Sequence, residues 1–555
     1  MLTARGILRR IVHHGDAPAV LDAAGGPVSY AAINAQAAAL AKALAPHVAW
    51  KGGRQPTVAY LHGRDRDYVA TQCGTWLSGA IGVPLAENYP PLEYEYLLRD
   101  SGAAAVVTSG RLAPAIAGVA DALGIPVLHS APVDAGAKFD PASVALAEPP
   151  SPGNAADAGD GAMLIYTSGT TGRPKGVLVT HGMLEAQVGA LTSAWGWSAG
   201  DHILSVLPLH HVHGVVAVLN SALYSGAVVE LLPKFDAAAT WAALTRPRGH
   251  APQGPLTLFM AVPTVYAKLV ETFDKAPAET QAAWSAALRA ADSPLRLMVS
   301  GSAALPDPLA LRWRAISGHT LLERYGMSEF SMALSNPLHG ARKLNSVGRP
   351  LPGYQARIAP EAGDAADDAG AGAGGGEGFA GPGELQIRGP GVFTQYWNRP
   401  EATAECFTPD GWFRTGDCAV RDADGCYSIM GRLSADIIKS GGYKISALDI
   451  ERVLLSHPAV GEAAVLGVAD PVYGERVAAV LTLKSGATGE GSLASARGVG
   501  SLPPELFAGA DSLQAFCATH LPGYKLPSTV KCVEEIPRNA MGKVNKKALR
   551  AALFA

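Results

Sequence analysis

Residues 166–176 combine Gly, Ser and Thr with a single lysine, a composition that suits a polyphosphate ligand. The segment runs Tyr-Thr-Ser-Gly-Thr-Thr-Gly-Arg-Pro-Lys-Gly. Backbone N–H groups and hydroxyls at this density direct partial positive charges at an anion, and Lys175 adds a full charge. Apolar residues before the segment (Ile165 and Tyr166) and after it (Val177–Val179) predict two β-strands. The sequence therefore predicts a phosphate-binding loop between two strands.

The spacing in this loop differs from the two better-known phosphate-binding patterns. The Walker pattern requires Gly-Lys-Ser/Thr at the start of a helix, whereas here Pro174 precedes Lys175 and Gly176 follows it. The glycine spacing of a dinucleotide-binding turn is also absent. An ordinary Gly/Ser/Thr surface loop is the alternative, and the apolar strands predicted on both sides argue against it.

Composition and charge narrow the class of protein. A chain of 555 residues with 48% hydrophobic residues is long enough for two or more domains with large cores. Its formal net charge of −3 gives no basic field for nucleic acid or a membrane surface. The six cysteines show no zinc-ligand spacing, which predicts reduced thiols in an intracellular protein. The longest uncharged stretch, 202–229, contains four His and is predicted to be buried core rather than a membrane span.

Most of the chain alternates short apolar runs with amphipathic stretches, which predicts an α/β region with largely parallel sheets. Thr57–Leu61 and Arg296–Ser300 are typical strand candidates, and Tyr30–Leu44 is a typical helix candidate. Two low-complexity segments, about 360–382 and about 485–510, are predicted to be insertions at loop tips.

The pattern changes after Gly431 to that of a small α+β unit. A helix is predicted over about 447–457, and strands over 462–468, 477–483 and 528–533. We predict a large N-terminal domain of mixed β-sheets flanked by helices, residues 1–432, and a small mobile α+β C-terminal domain, residues 433–555.

Several further motifs accompany the loop and occur in the order found in one family. Together with Tyr166–Gly176 they resemble the adenylate-forming superfamily, which includes acyl-CoA synthetases, luciferase and the adenylation domains of peptide synthetases. These motifs are Pro208-Leu-His-His-Val-His-Gly214, Arg324-Tyr-Gly-Met-Ser-Glu329, Gly411-Trp-Phe-Arg-Thr-Gly-Asp417, Gly431-Arg432 and Pro537-Arg-Asn-Ala-Met-Gly-Lys543.

The resemblance implies a two-step reaction with ATP and CoA as co-substrates and Mg²⁺ as cofactor. A carboxylate first attacks the α-phosphate of ATP and releases diphosphate, and a thiol then attacks the acyl-adenylate. The first step joins an anion to a polyanion, so it needs cations and preorganised donors. The nucleotide-binding residues implied are Thr167, Ser168, Gly169, Thr170, Thr171, Gly172, Lys175, Gly301, Ser302, Ala303, Tyr325, Gly326, Ser328, Asp417 and Arg432. Among them, Tyr325 is expected to stack on adenine, residues 301–303 to line the base, and Asp417, with Arg432 nearby, to accept the ribose hydroxyls.

The resemblance also implies roles in catalysis and metal binding. Lys543 is expected to bridge the substrate carboxylate and the α-phosphate, and Lys175 to assist at the phosphates. Glu329 is expected to bind Mg²⁺, a hard cation that prefers oxygen ligands. His211 matches a histidine of the acyl pocket, and Met327 is expected to line the same pocket.

The small domain of such enzymes adopts two orientations, one for each half-reaction, so the chain after Arg432 is expected to act as a hinge. The usual pattern after Gly-Arg is one residue shorter than the one in this chain, which leaves open whether Ser434 or Ala435 is the pivot. The segment Gly441, Gly442, Tyr443 and Lys444 is expected to face the active site in the second orientation and to contact CoA.

Arg324 is the most specific indication of the acid. It lies between the nucleotide residues and the acyl pocket, where a cation is costly unless an anion neutralises it. A second carboxylate on the substrate would do so. The surrounding sequence resembles the malonyl-CoA synthetase branch, which implies malonate as substrate, with methylmalonate as a second one. Pairing of Arg324 with Glu323 or another local acid, together with a monocarboxylic substrate, is the alternative.

Other readings stay open at this point. The chain could load a carrier protein or catalyse an oxidation of the luciferase kind, although no carrier motif follows the small domain. The expected partners are small molecules only, without nucleic acid or an integral membrane segment, and the expected state is a monomer or weak homodimer. The basic N-terminus suits either a transit peptide or an ordinary first helix, whose apolar face would be Leu2, Ile7, Leu8, Ile11 and Val12. We therefore expect a cytoplasmic protein, with a mitochondrial one as the alternative.

Overall fold

The structure is a computed structural model, and part of the chain is described. The described residues are 2–23, 25–49, 54–146, 161–167, 173–247, 249, 254–360, 381–441, 443–484, 500–501, 513–538 and 544–554. The two predicted insertions, about 360–382 and about 485–510, lie almost entirely outside these residues.

Two large sheets, mostly parallel, form the centre of the N-terminal part. The first has six strands, in the spatial order Lys175–Thr180, Gly161–Thr167, Ile81–Pro84, Thr57–Leu61, Ala103–Thr108 and Val127–His129. The second has nine, in the order Arg349–Pro350, Leu334–Ser335, Leu322–Tyr325, Leu297–Ser300, Leu258–Ala261, His202–Ser205, Val228–Leu231, Pro18–Asp22 and Gly25–Ser29. Because ligands of such sheets bind at the carboxyl ends of the strands, the residues after Ser300 and at the end of Leu322–Tyr325 are placed for a site.

Helices cover these sheets. They span Leu8–Ile11, Tyr30–Leu44, Arg66–Leu77, Pro91–Ser101, Ala113–Ala122, His181–Ala194, Ser221–Ser225, Ala237–Leu244, Pro263–Lys275, Ala278–Arg289, Asp307–Ser317 and Pro400–Glu405, with a 3₁₀ turn at Pro141–Ser143 and a π-helix at His213–Asn220. Among the described residues, no helix has both the length and the apolar character needed to cross a membrane.

Two smaller sheets complete the N-terminal part. One is antiparallel and contains Gln355–Ala359, Gly383–Arg388, Phe413–Arg421 and Tyr427–Arg432. The other pairs Leu2–Ala4 with Val144–Leu146. The predicted first helix is thus wrong in part, because Leu2 lies in a strand. The rest of its apolar face is confirmed, since Ile7, Leu8, Ile11 and Val12 are buried.

The last sheet follows Arg432 and has its own apolar core. It is built from Ile437–Ser440, Tyr443–Ser446, Val460–Asp470, Gly474–Leu483, Gly500–Ser501 and Thr529–Cys532. Around it lie the helices Ala447–Ser456, Leu513–Ala518 and Lys546–Phe554 and a 3₁₀ turn at Gly523–Lys525. The elements predicted here are confirmed, whereas the boundary at 432/433 stays a prediction.

A cluster of aromatic side chains fixes the helices on one face of the nine-stranded sheet. Trp241 and Trp284 stack with ring centroids 4.6 Å apart and nearly parallel planes. Trp313, from helix Asp307–Ser317, lies edge-on to Tyr266 with centroids 5.1 Å apart. Large buried rings of this kind dominate core energetics, so this cluster holds the helix that follows Ser302.

Candidate active site

The predicted phosphate loop lies between antiparallel strands, as expected. Gly161–Thr167 pairs with Lys175–Thr180, and Thr167 stands opposite Lys175. Ser168, Gly169, Thr170, Thr171 and Gly172 lie outside the described residues, so their contacts with phosphate stay predictions. The two ends of the loop are therefore fixed in register, with the lysine ammonium at its base.

Tyr396 lies between the lysine of the loop and the predicted metal ligand. The ammonium of Lys175 lies over the Tyr396 ring, 4.9 Å from its centroid. The phenol donates a hydrogen bond of 2.7 Å to Oε1 of Glu329. A backbone bridge between Val177 and Tyr396 holds the ring against the strand of Lys175. Sequence reasoning missed Tyr396, although the aromatic run 393–397 marks the segment.

Glu329 suits a magnesium ion that takes its other ligands from substrate and water. Glu329 is 5% exposed, and the hydrogen bond from Tyr396 orients one of its carboxylate oxygens. No group of three His, Cys, Asp or Glu side chains within the described ranges could hold a metal on its own. Mg²⁺ in nucleotide enzymes is commonly held by one or two carboxylates together with phosphate oxygens and waters, so a single well-placed carboxylate fits it.

A second group joins Tyr325, Asp417 and Arg432. The Tyr325 hydroxyl donates to Oδ2 of Asp417, and Arg432 Nε lies 2.9 Å from Oδ1 of the same carboxylate. Burial alone would lower the pKa of Arg432, but the charge of Asp417 and its acidic neighbours raises it. This cluster brings together the residues predicted for adenine and ribose. Met327 is also near, with its sulfur 3.5 Å from the Tyr325 hydroxyl.

Arg324 lies in a recess beside Gly301 and Ser302. Its guanidinium occupies the space where a Cβ on Gly301 would stand, 2.6 Å from Cζ, so glycine is required there. Nη2 lies 3.3 Å from Oγ of Ser302. Ser302 has a left-handed φ of 67°, a conformation that costs energy for a residue other than glycine. Adenine contacts of residues 301–303 stay a prediction, because Gly301 lies against Arg324 and the Ser302 hydroxyl contacts Arg324 and His213.

Arg324 is a buried cation that has no carboxylate partner among the described residues. It is 3% exposed, and burial lowers its pKa to about 9, with no carboxylate of the described residues offsetting that effect. Its Nε is among the buried side-chain atoms that lack a hydrogen-bond partner in the described part of the chain. Alternation along strand Leu322–Tyr325 directs Glu323 to the other face. The structure therefore does not contain the ion pair between Arg324 and Glu323 that was the alternative considered above.

His213 completes the recess. Its Nδ1 lies 3.2 Å from Oγ of Ser302, so Ser302 stands between the imidazole and the guanidinium. Burial first, and the charge of Arg324 second, lower the pKa of His213 far below its ordinary value. The ring is therefore neutral, and its buried Nε2 has no partner among the described groups. Sequence reasoning gave His213 no role, because its neighbour Ser302 is distant in the chain.

His211 lies in the turn that leads into the π-helix His213–Asn220. Its ring is 4.2 Å from that of His210, whose pKa burial lowers to about 3. A π-helix is rare and is often found at functional sites. Gly214 permits this geometry, because a Cβ there would meet the Pro208 carbonyl oxygen at 2.1 Å. The role of His211 at the acyl pocket stays a prediction.

The described residues predicted to contact CoA, which are Gly441, Tyr443 and Lys444, lie on a hairpin of the C-terminal sheet. Gly441 donates its N–H to the Tyr473 carbonyl, and Tyr443 stacks on Tyr524 with centroids 4.5 Å apart. Gly442 and the predicted catalytic Lys543 lie outside the described residues. Lys444 belongs to strand Tyr443–Ser446, while Gly326 and Ser328 lie between Tyr325 and Glu329. These assignments stay predictions.

Comparison with known proteins agrees with this geometry. The model of the family described as AMP-binding enzyme matches residues 8–397, and that of the AMP-binding enzyme C-terminal domain matches residues 449–543. The chain belongs to the AMP-binding enzyme family. The resemblance drawn from the motifs is thereby confirmed, as is the fold class.

Curated relatives of this AMP-binding enzyme are named as CoA ligases. The human malonate–CoA ligase ACSF3, mitochondrial, is 42% identical over 98% of this chain and 91% of its own length. The Bos taurus protein of the same name is 45% identical over 90% and 82%. The Arabidopsis thaliana malonate–CoA ligase is 41% identical over 88% and 76%.

Solved structures of similar fold cover nearly the whole chain. The ATP-bound MatB from Rhodopseudomonas palustris superposes with a TM-score of 0.78, at 29% identity and 98% coverage of both chains. A malonyl-CoA ligase with methylmalonyl-CoA and AMP bound superposes with a TM-score of 0.60, at 34% identity and 95% and 98% coverage.

Proposed function

We propose that this AMP-binding enzyme is a malonate–CoA ligase that converts malonate, ATP and CoA into malonyl-CoA, AMP and diphosphate through an acyl-adenylate. The observation that carries the proposal is Arg324. A guanidinium that is 3% exposed and has no carboxylate partner in the described chain is costly until an anion reaches it.

The distal carboxylate of malonate supplies that anion. Arg324 offers a planar fork of N–H donors that matches two carboxylate oxygens. Ser302 can add a hydroxyl donor, and the neutral imidazole of His213 adds polar contact without a second positive charge. A monocarboxylic acid would leave the guanidinium buried and unpaired, so the recess discriminates against it.

The proximal carboxylate is then directed towards the nucleotide. Arg324 and Tyr325 are consecutive, and Tyr325 is hydrogen-bonded to the ribose candidate Asp417. The distal carboxylate and the nucleoside are thus held by adjacent residues of one strand. This fixes the attacking oxygen relative to the α-phosphate, which converts a bimolecular step into a positioned one.

The charge developed in the first step is met by cations on both sides. We assign Lys175 and the loop 167–172 to the departing diphosphate and Lys543 to the bridge between carboxylate and α-phosphate. Glu329 would hold Mg²⁺, which when bound neutralises phosphate charge. Tyr396 donates a hydrogen bond to Glu329 and its ring contacts the Lys175 ammonium, so one side chain touches both charged groups.

Thioester formation follows when the small domain presents residues 441–444 and the CoA thiol attacks the adenylate carbonyl. The TM-scores of 0.78 with the ATP-bound relative and 0.60 with the product complex support two arrangements of similar domains. Methylmalonate carries the same two carboxylates and one more methyl group, and we propose it as a second substrate. Whether the protein is cytoplasmic or mitochondrial stays a prediction.

The test compares acids on the purified protein. AMP release is measured with malonate, methylmalonate and butyrate, with and without free CoA. Malonate should be preferred, and thioester should form only with CoA. Arg324→Leu should lower kcat/KM for malonate by about 10²–10³-fold, because the distal carboxylate of malonate would then be buried without its charged partner. Arg314→Leu, on an exposed helix surface, is the matched control. Preference of the unmutated enzyme for butyrate, or full malonate turnover by Arg324→Leu, would refute the proposal.

A further inference from the structure

Lys546 is a buried lysine that no step of the reaction described so far uses. Its ammonium lies 2.5 Å from Oδ1 of Asp436 and 2.7 Å from Oε1 of Glu451. The three side chains are 10%, 15% and 14% exposed. Burial would lower the pKa of Lys546, but the two carboxylates raise it, so the lysine is charged. Lysine is almost never buried unless paired, and a buried ionic group can serve to fix one arrangement.

Asp436 places this triad at the hinge. Its Oδ2 accepts a hydrogen bond of 3.0 Å from the backbone N–H of Arg432, four residues earlier. Its carbonyl accepts from the N–H of Ala447, at the start of helix Ala447–Ser456. The approach is close, because a Cβ on Gly431 would lie 2.4 Å from Cβ of Asp436. One carboxylate therefore contacts both the backbone of Arg432 and the ammonium of Lys546.

Glu451 fixes the other side of the lysine. Its Oε1 also accepts 2.8 Å from the N–H of Val465, so the carboxylate is held by strand Val460–Asp470. Lys546 opens helix Lys546–Phe554, and Leu549 of that helix is buried against the same sheet. The position of the helix start is thus determined by two fixed carboxylates and one apolar contact.

The position of Lys546 in the chain gives the triad a function. Lys546 is three positions after Lys543 in the chain, a span of at most about 11 Å of extended chain. The ion pairs of Lys546 with Asp436 and Glu451 therefore limit the distance of the Lys543 backbone from Arg432. A change of φ and ψ at 433–435 would carry Asp436 away from the Arg432 N–H, so this contact belongs to one domain orientation.

We infer that Lys546 is a positioning residue for adenylation, which ties the segment of Lys543 to the hinge through Asp436. This inference rests on the proposed function, because it takes Lys543 as the group that bridges carboxylate and α-phosphate. In the second half-reaction the domain rotates and the thiol is the nucleophile, so the tie has no part in that step.

The experiment separates the two half-reactions. Malonate-dependent exchange of diphosphate into ATP reports adenylation, and thioester formation from supplied malonyl-adenylate and CoA reports the second step. Lys546→Met should lower kcat of exchange by about 10²-fold, the size expected for a misplaced catalytic group, while KM for ATP and the second step stay unchanged. The exposed neighbour Lys547→Met should behave as the unmutated protein.

Lys546→Met leaves two buried carboxylates unpaired and could therefore lose activity by misfolding. A second variant distinguishes this effect from a loss of positioning. The triple change Lys546→Met, Asp436→Asn and Glu451→Gln removes all three charges at once. It should fold and still show slow exchange with normal thioester formation. Equal loss of both half-reactions, or normal exchange in the folded triple variant, would overturn the inference.

The result can be told apart from failure of the proposed function. If the unmutated enzyme activates another acid instead of malonate, the substrate proposal fails, and the Lys546 effect is measured with that acid. Lys543→Ala is assayed in parallel. If exchange survives that change, both the role of Lys543 and the inference about Lys546 are wrong.

Discussion

Glu323 and Arg324 are consecutive residues whose side chains face opposite sides of one strand. Arg324 lies against Gly301 and Ser302, in the recess that also contains His213. The charged neighbours of Glu323 are Asp307 and Arg452, and Arg452 lies in helix Ala447–Ser456. Adjacent opposite charges therefore lie in different environments, Arg324 in the recess beside Ser302 and Glu323 near helix Ala447–Ser456.

Glu323 should make stability depend on pH. Burial, with Asp307 adding to it, raises the pKa of Glu323 to about 8. The folded protein then holds a proton that the unfolded chain has lost, so stability falls as pH rises from the ordinary glutamate range to about 8. Glu323→Gln should remove this fall. Thermal unfolding at about pH 5 and about pH 9 should show a smaller difference for this variant than for the unmutated protein. Exposed Glu535→Gln is the control, and an unchanged pH profile in Glu323→Gln would contradict the prediction.

Asp417→Asn should act on ATP rather than on the acid. The change removes the charge that Arg432 contacts and weakens the acceptor for the Tyr325 hydroxyl. Charge-assisted hydrogen bonds contribute about 1.5–3 kcal/mol each, so KM for ATP should rise about 10- to 100-fold. KM for malonate should stay near its original value. Asp424→Asn, at an exposed turn of the same sheet, is the control. A larger effect on malonate than on ATP would place Asp417 elsewhere in the site.

Tyr396 allows the hydrogen bond to Glu329 and the ring contact with Lys175 to be tested separately. Tyr396→Phe keeps the ring under the ammonium but removes the donor to Glu329. We expect a rise in the Mg²⁺ concentration needed for half-maximal AMP formation, with kcat/KM for ATP reduced about tenfold. Tyr396→Ala should lower activity further, because the cation–π contact is also lost. Tyr224→Phe serves as control. Identical Mg²⁺ dependence in Tyr396→Phe and the unmutated enzyme would show that the phenol does not orient Glu329.

Trp313→Ala should destabilise the protein without touching the site. Trp313 is fully buried, and its indole N–H lies 3.4 Å from the sulfur of Met298. Loss of a buried tryptophan costs about 3–5 kcal/mol of unfolding free energy. Leu311→Ala, on the exposed side of the same helix, should change it by less than about 0.5 kcal/mol. Denaturant unfolding measures both, and equal effects would contradict the assigned packing.

Local patterns in the chain were enough to predict much of the fold. Strand Thr57–Leu61 and helix Tyr30–Leu44 occur with the bounds that periodicity indicated, and the loop of Lys175 lies between strands as its flanks implied. Such features depend on neighbours in sequence, which is why composition and spacing were sufficient.

Long-range contacts were not predictable in the same way. The place of His213 in the recess is evident only from its contact with Ser302, 89 residues later in the chain. Tyr396 reaches the site by pairing with the strand of Lys175, which no local period encodes. Lys546 resembles a surface lysine in sequence and is buried because Asp436 and Glu451, far earlier in the chain, surround it.

If Asp417 binds the ribose of ATP, the hydrogen bond from the Arg432 N–H to Asp436 couples nucleotide affinity to domain orientation. The side chain of Arg432 contacts Asp417, the candidate for the ribose hydroxyls, while its backbone contacts the hinge carboxylate. If ATP favours the orientation that keeps this bond, that orientation must raise the affinity for ATP by the same factor. The transition to thioester formation would then weaken the hold on the nucleoside, so the rotation that admits CoA also prepares AMP for release.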